Sequence, residues 1–232
     1  MSRPKLLDLF CRQGGTSAGY RDAGFDVVGV DIEPQPRYPF EFHQADALEF
    51  LTAHWGEFDA FGASPPCQRY SLTQRIQGRE HPDLIGPVRD LLEKTGRPFV
   101  IENVEDARGE LRDPILLCGA MFGLETYRHR LFETGGGFRA ETPAHPAHTA
   151  RNAKMGRSVG EGEFMHIVGN FSDVPRARQI MGMPWASREG LREAVPPVYT
   201  EHIGRQLMAH LLKVSAELQQ FDWEPAGIGG RR

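Results

Sequence analysis

The chain has 232 residues and a mass of 26.0 kDa, enough for one hydrophobic core with a small lobe but too little for two full domains. Hydrophobic residues make up 40% and charged residues 25%, as in ordinary globular proteins, and the net charge of -4 argues against a general nucleic-acid coat. The three cysteines form no close-spaced pair and no long apolar run is present, so we expect no disulfide framework, no membrane span and a cytoplasmic location.

Residues 1–31 predict a strand, a glycine turn, a helix and a second strand. Residues 5–10 are a short apolar run, and Gly14-Gly15 then opens a helix that ends near Ala23. Residues 26–31 are apolar between two acids, as in a parallel strand covered on both faces. This is a βαβ unit, and ligands bind beyond the carboxyl ends of the strands in sheets built from such units.

Three acids follow the second strand. Asp31 and Glu33 lie at its carboxyl end, where a carboxylate can accept hydrogen bonds from both hydroxyls of a ribose. Asp46 precedes a predicted helix that runs to about His54, and it either caps that helix or accepts from an adenine amino group. The glycine turn alone lacks the full dinucleotide fingerprint, and each acid alone is equally typical of a cap or a solvated turn. Together they suggest a cofactor that carries a nucleoside.

Cys67 follows a third predicted strand. Residues 59–63 are a short apolar run, and Pro65 and Pro66 end it because neither can donate to a sheet ladder. Cys67 therefore lies on a stiff turn at the end of a strand. It is either a nucleophile or one more small buried hydrophobic residue.

Glu102 follows a fourth predicted strand. A polar, mobile loop over residues 69–79 and a helix over residues 82–94 separate Cys67 from this strand, residues 97–101. Because Glu102 comes directly after an apolar run, we expect burial to raise its pKa. A helix cap or an ion pair is the alternative role.

Residues 128–133 read as a further strand, in which Arg128 and Arg130 alternate with other residues and so project to one face. Two adjacent guanidinium groups suit a phosphate or a base carbonyl, and a solvated surface pair has the same pattern. Residues 128–192 hold 10 Lys and Arg against 6 Asp and Glu. A local basic patch of this kind suits an enzyme that acts selectively on DNA, although such runs are also common on solvated faces.

From Gly135 to about Asp173 the periodicity fails, which fits a disordered insert, a substrate loop or a small recognition element. His145 and His148 are spaced like a metal pair, but no cysteine or acid cluster lies near them in the sequence, so we predict no metal site.

Two helices are predicted near the end of the chain, one over residues 177–185 and one that begins near Thr200. The apolar stripe of the second helix, which we assign to the core, consists of Ile203, Leu207, Leu211 and Val214.

A series of short motifs runs in order over nearly the whole chain. These motifs are Asp8-Leu9-Phe10 with Gly14-Gly15, Ala23-Gly24-Phe25, Asp31-Ile32-Glu33, Pro65-Pro66-Cys67-Gln68, Glu102-Asn103-Val104, Arg128-His129-Arg130, Ala177-Arg178 with Met181-Gly182-Met183-Pro184, and Val195-Pro196-Pro197 with Ile203-Gly204. In this order they resemble the cytosine-5 DNA methyltransferases, especially the short forms common in phages. The Pro-Cys-Gln and Glu-Asn-Val pair is the specific part of the resemblance.

The resemblance implies an α/β fold with a doubly wound, mostly parallel, Rossmann-like methyltransferase sheet and a very small recognition insert. Residues 1–133 then form the cofactor-binding and catalytic domain, and residues 134–175 form the reduced target-recognition insert. Residues 176–222 return to the catalytic domain with a C-terminal helix, and residues 223–232 are expected to be a disordered tail.

The resemblance also implies roles for individual residues. Cys67 is the nucleophile that adds to carbon-6 of cytosine, and a protonated Glu102 hydrogen-bonds ring nitrogen N3. Arg128 and Arg130 assist at the base carbonyl and a nearby phosphate. The residues implied to bind S-adenosylmethionine are Asp8, Phe10, Gly14, Gly15, Asp31, Ile32, Glu33, Asp46, Pro65 and Val195. The residues implied to contact a base flipped out of DNA are Gln68, Arg69, Ser71 and Arg75.

The chain departs from the family pattern at several positions. Arg12 replaces a usual glycine, Thr126 replaces a usual glutamine, and Arg192-Glu193 replaces a usual Gly-Asn, which leaves the transferred group open. Only residues 138–173 are available for target recognition, and a segment of that size reads few base edges. We therefore expect short or relaxed sequence specificity, or a partner that supplies it.

The predicted function is S-adenosylmethionine-dependent methylation of cytosine carbon-5 in DNA, in a bacterial or phage-infected cell, without a metal or a membrane. Two alternatives remain open. The same chemistry on single-stranded DNA or a free cytosine nucleotide would suit the small recognition segment. A catalytically silent DNA-binding protein would keep the fold, but the intact Cys67, Glu102 and Arg130 argue against it.

Overall fold

The structure is a computed structural model that describes residues 3–66, 83–153 and 156–221. The predicted loop 69–79, the predicted helix start at Pro82 and the tail 223–232 lie outside the described residues. In chain order the elements are β1 (Lys5–Leu9), α1 (Gly15–Asp22), β2 (Asp26–Asp31), β3 (Glu41–Gln44), α2 (Ala47–His54), β4 (Ala60–Ala63), α3 (Ile85–Thr95), β5 (Phe99–Asn103), β6 (Ile115–Leu117), β7 (Arg130–Gly135), β8 (Arg151–Asn152), β9 (Glu163–Phe164), α4 (Val174–Met181), α5 (Arg188–Glu193) and α6 (Pro197–Phe221).

Seven strands form one sheet in the order β3-β2-β1-β4-β5-β7-β6. The first five strands in this order are parallel, and β7 runs antiparallel to both β5 and β6. The sheet confirms the predicted α/β fold with a doubly wound, mostly parallel arrangement. The sequence did not predict β3, because this edge strand has mostly exposed side chains and no apolar alternation.

Helices cover both faces of the sheet. On one face α2 and α3 pack over Leu7, Leu9 and Phe61. On the other face α1 and α6 pack over Leu6 and Val100. Burial on both faces is the reason that most residues of β1, β2 and β4 are apolar, with Asp8 as a buried exception within β1.

The first helix and the last helix approach each other unusually closely. A Cβ atom at Gly15 would collide with the carbonyl oxygen of Val195, and one at Gly19 would collide with the hydroxyl of Thr200. The same hydroxyl donates a hydrogen bond to the carbonyl of Thr16 at 2.9 Å. Small residues on α1 therefore hold the C-terminal return of the chain against the turn that follows β1.

Helix α6 extends beyond the body of the sheet. Ile203 and Leu207 are fully buried, as predicted, and Leu211 is half-buried. The assignment of Val214 to the core is wrong, since its side chain is 38% exposed and its neighbour Leu212 is 56% exposed. The apolar stripe continues for one turn after the sheet has ended.

Residues 134–175 contain little regular structure, as the loss of periodicity predicted. The two-residue strands β8 and β9 pair in parallel, and Met165, Ile167 and Phe171 are buried against α4 and α5. Among the described helices, none combines the length and the apolar character that crossing a membrane requires.

A buried ion pair joins α3 to β7. Arg89 Nε and Nη2 donate to the two carboxylate oxygens of Glu133 at 2.6 and 2.7 Å, with side chains that are 8% and 3% exposed. The same carboxylate accepts the backbone N–H of Arg112 at 2.8 Å. Removing one partner would leave a buried charge without compensation.

We therefore expect Glu133→Ala to lower the free energy of unfolding by about 3–5 kcal/mol, measured by urea denaturation. The control is Glu93→Ala, which removes the exposed pair between Glu93 and Arg112, with side chains 47% and 62% exposed. This control should cost less than about 1 kcal/mol. Equal losses in the two variants would contradict the assignment.

Candidate active site

The register of the parallel strands brings several functional candidates to one edge of the sheet. One row of paired residues across the sheet consists of Val30, Leu9, Ala63 and Ile101. The residues that follow them in the chain, and therefore lie side by side at the carboxyl edge, are Asp31, Phe10, Ser64 and Glu102. The strand order reverses between β1 and β4, which is where open α/β sheets bind ligands.

The turn after β1 has an unusual backbone. Phe10 and Arg12 both adopt left-handed conformations, with φ of 60° and 48°, and Gly14 has φ of 79°. Non-glycine residues pay about 1–2 kcal/mol for this conformation, and such strain concentrates at functional sites. The turn is anchored by the N–H of Cys11, which donates to the carbonyl of Val30 at 3.1 Å.

Asp8 supports this turn from beneath. Its side chain is fully buried and accepts hydrogen bonds from the hydroxyls of Thr16, at 2.6 Å, and Ser17. The other carboxylate oxygen has no partner. Burial raises the pKa of Asp8 to about 6, against the two hydroxyl hydrogen bonds. Asp8 is thus placed to hold the first turn of α1, below the surface that a cofactor would contact.

Asp31 lies at the end of β2 in an ordered setting. Its two carboxylate oxygens accept the backbone N–H groups of Arg12 and Glu33, each at 3.0 Å, and the residue is 4% exposed. Ile32 beside it is 63% exposed, and Glu33 is exposed. A fixed carboxylate next to an exposed apolar side chain is a surface on which a nucleoside fits.

Asp46 takes the capping role that the sequence left open. One oxygen of its exposed side chain accepts the N–H groups of Leu48 and Glu49 at 2.9 and 3.0 Å, at the N-terminus of α2.

Glu102 lies on β5 and is 8% exposed. Arg130 at the start of β7 contacts it, with Nε 3.0 Å from a carboxylate oxygen. Burial raises the pKa of Glu102, while the charge of Arg130, the hydroxyl of Ser64 and the charge of Arg128 oppose the rise. The direction agrees with the sequence-based expectation, and the ion pair was the alternative that the sequence also allowed.

Asn103 connects this carboxylate to the segment before Cys67. Its side-chain amide donates to the carbonyl of Pro65 at 3.0 Å, and its oxygen accepts the N–H of Val104 at 2.9 Å. The segment that enters Cys67 is therefore fixed beside Glu102. Asn103 belongs to the Glu-Asn-Val motif, but the motif alone does not indicate this contact.

The predicted nucleophile and the predicted substrate contacts of this region lie outside the described residues. They are Cys67, Gln68, Arg69, Ser71 and Arg75.

Arg128 has a setting that the sequence did not predict. The strand begins only at Arg130, because Arg128 itself has φ of 32°. Its guanidinium donates to the carbonyls of Ala194, Ile167 and Arg192 at 2.7, 2.8 and 2.7 Å. Arg128 is buried and joins β7 to the two segments that pass beside it.

The C-terminal return also contacts the turn after β1. Arg12 forms an ion pair with Glu193 at 2.8 Å, with side chains 42% and 47% exposed. The side-chain amide of Gln13 bonds both the hydroxyl and the N–H of Ser187, at 3.0 and 2.9 Å. Trp185 donates its indole N–H to the carbonyl of Gln13 at 2.7 Å. Gln13, Trp185 and Ser187 were missed because nothing in their local sequence indicates a contact over more than 170 residues.

Next to Arg130 a cavity of about 410 Å³ opens between the start of β7 and residues 134–175. Its walls include Glu105, Tyr127, Asn152 and His166.

The histidine pair expected to be isolated also lies beside this cavity. His145 and His148 converge in the fold with Cys118 and His129, although no cysteine lies near them in the sequence. Cys118 is distant in the sequence but adjacent in the fold.

Comparison with known proteins finds sequence similarity to two methyltransferases. No protein-family model matches it. The chain is 26% identical over 182 residues to the type II methyltransferase M.AgeI of Thalassovita gelatinovora, covering 62% of this chain and 42% of that protein. It is 28% identical over 199 residues to the type II methyltransferase M.XorII of Xanthomonas oryzae pv. oryzae, covering 69% and 47% respectively. The chain spans less than half the length of each of these two relatives.

The fold has a counterpart among solved structures. It is similar to a protein described as a DNA modification methyltransferase encoded within an E. coli prophage, with a TM-score of 0.57 and 18% identity. The match covers 90% of this chain and 99% of that one. At this level of identity the likeness shows a shared fold.

The raised pKa of Asp8 predicts a specific pH dependence of stability. A carboxyl group with a folded pKa of about 6 stabilises the fold fully below its unfolded pKa of 3.8, and this contribution is lost as pH rises through 6. Relative to Asp8→Asn, the wild type should therefore lose up to about 3 kcal/mol of stability between pH 4 and pH 7. Urea denaturation of both proteins over this range measures the difference, and a difference that does not change with pH would contradict the burial of an ionisable Asp8.

Proposed function

We propose that the chain transfers a methyl group from S-adenosylmethionine to carbon-5 of cytosine in DNA, and its similarity to type II methyltransferases supports this proposal. The observation that carries it is the buried contact of Glu102 with Arg130, next to Asn103, whose side chain bonds Pro65 in the segment before Cys67. A carboxyl group that is removed from water and lies beside a guanidinium can stabilise charge that develops on the ring of a base during the reaction.

The residues at the carboxyl edge fit the proposed cofactor. Asp31 is oriented by two backbone N–H groups and keeps lone pairs for ribose hydroxyls, and Ile32 offers an exposed apolar surface for an adenine. Glycine at position 14 supplies the left-handed turn that leads into α1. When bound, S-adenosylmethionine supplies an electrophilic methyl group carried on a sulfonium.

The side chains perform the remaining chemistry. Carbon-5 of cytosine is a poor nucleophile, and the Cys67 thiolate overcomes this by adding to carbon-6, which breaks the aromaticity of the ring. Glu102 in its protonated form donates to N3 and stabilises the negative charge that builds there. Burial favours that protonated form because it raises the pKa of Glu102. Arg130 stabilises charge on the same side of the base.

DNA is the substrate favoured by the relatives and by the surroundings of the site. Residues 128–192 carry a local positive balance, and the cavity beside Arg130 opens between the catalytic sheet and residues 134–175. An enzyme that acts on a base within a duplex must flip it out, at a cost of a few kcal/mol.

Trapping with 5-fluorocytosine tests the chemistry. Incubation of the protein with S-adenosylmethionine and duplex DNA containing 5-fluorocytosine should give a covalent adduct, seen as a shifted band on a denaturing gel. Cys67→Ser should give none. The control is Cys11→Ser, because Cys11 is 3% exposed and burial raises its pKa far above the usual value, so its thiol is inert.

Absence of the adduct with bound cofactor would overturn the cysteine mechanism. Parallel reactions with single-stranded DNA and free cytosine nucleotide identify the substrate, since transfer to nucleotide alone would reject DNA.

Glu102→Gln tests the role of the carboxyl group. Its shape is retained but its acid proton is lost, so the rate of methyl transfer should fall by at least about 10²-fold. The dissociation constant for S-adenosylmethionine should change little, because Glu102 acts on the base. An unchanged rate would show that Glu102 serves only as the ion-pair partner of Arg130.

A further inference from the structure

Four side chains from separate parts of the chain converge beside β6 and β7. Their donor atoms all lie within 4.8 Å of one another. Cys118 follows β6, His129 precedes β7, and His145 and His148 belong to residues 134–175. Cys118 is buried, His129 is half-buried, and the other two are exposed.

We infer that Cys118, His129, His145 and His148 bind one Zn²⁺ ion in a tetrahedral site. The Sγ of Cys118 is 3.4 Å from Nε2 of His148, and Nε2 of His129 lies 3.3 and 3.4 Å from the Nε2 atoms of His148 and His145. Zinc bonds of about 2.0–2.1 Å to nitrogen and about 2.3 Å to sulfur require tetrahedral edges of about 3.3 Å between nitrogens and about 3.6 Å between nitrogen and sulfur. These three separations are close to the edges of such a tetrahedron, and the other three pairs of donor atoms lie within 4.8 Å of each other.

The groups around the cluster orient its donors. Nδ1 of His129 lies 2.8 Å from a carboxylate oxygen of Glu105, so its N–H donates there and Nε2 keeps its lone pair for a metal. The ring of His148 stacks on Tyr127, with centroids 3.7 Å apart and planes inclined by 21°. The sulfur of Cys118 accepts hydrogen bonds from backbone N–H groups, as a thiolate ligand requires.

Zinc binding also makes a prediction about pH. Zinc binds the thiolate form of cysteine and the neutral form of histidine, so binding releases protons and should weaken as pH falls.

A hydrogen-bonded cluster without metal is the competing explanation. His145 and His148 are exposed, however, and water would satisfy their ring nitrogens without fixing their side chains. Holding these exposed rings against one thiol costs side-chain entropy, and a shared ion offsets that cost.

With four protein ligands a tetrahedral zinc ion has no coordination position left for water or substrate, so the site is structural and not catalytic. Two ligands come from the sheet region and two from the segment around residue 145, whose side chains are mostly exposed. The ion therefore holds this polar segment beside Arg130 and the cavity. The segment has few buried apolar side chains that could hold it there instead. The inference does not depend on the proposed methyl transfer.

The full-length protein, purified without added metal or chelator, should contain one zinc ion per chain by inductively coupled plasma mass spectrometry. Replacement with Co²⁺ should give the intense visible bands of tetrahedral cobalt and a thiolate-to-cobalt charge-transfer band. His145→Ala removes an exposed ligand without opening a cavity, and it should lose zinc on dialysis and lose these bands.

Glu105→Gln keeps all four ligands but removes the carboxylate that orients His129. It should weaken zinc binding about 10- to 100-fold in a competition titration. The matched control is Glu57→Gln, since Glu57 lies 2.7 Å from Nδ1 of the exposed His54 outside the cluster, and it should bind zinc like the wild type. Wild-type protein without zinc or a cobalt spectrum, or His145→Ala that binds zinc as tightly as the wild type, would overturn the assignment.

Discussion

The buried guanidinium of Arg128 is the interaction on which the arrangement of this edge depends. It donates to three backbone carbonyls, those of Ile167, Arg192 and Ala194, which belong to two segments far apart in the chain. A charged group in such a position must be fully satisfied, because an uncompensated buried charge costs several kcal/mol. Both segments are therefore held in fixed positions beside β7. Arg130 follows two residues later and contacts Glu102 from this anchored part of the backbone.

The central fold could be predicted because its signals are local. The run from β1 through β2 is apolar between a glycine turn and two acids, and the structure has these elements at the predicted positions within a residue or two. Strand β3 could not be predicted in this way, since it is held by pairing with β2 and not by its own apolar pattern. For Val214 the local pattern predicts burial that the structure does not have. Val214 lies on the apolar stripe of α6, but helical periodicity does not indicate how far along the helix the stripe is covered by the rest of the protein.

The sequence predicts site residues that belong to short motifs. It does not predict residues that only tertiary contacts bring together. Glu102 was expected to have a raised pKa because it follows an apolar strand, and burial has that effect. The sequence predicts Arg128 within a strand, whereas the structure has it in a left-handed conformation before the strand, bonded to distant carbonyls. The cluster around His145 was dismissed because Cys118 is 30 residues from His148 in the sequence. Spacing rules detect ligands within one motif and do not detect ligands that separate loops bring together.

Arg12 and Glu193 both depart from the pattern that the resemblance implies, and in the structure they form an ion pair with each other. At 2.8 Å the charges of the two side chains compensate each other. Because both side chains are about half exposed, the pair contributes at most about 1 kcal/mol to the stability of the fold. Its main effect is therefore on charge: the guanidinium that Arg12 places beside the turn after β1 is neutralised by a carboxylate from the C-terminal return of the chain.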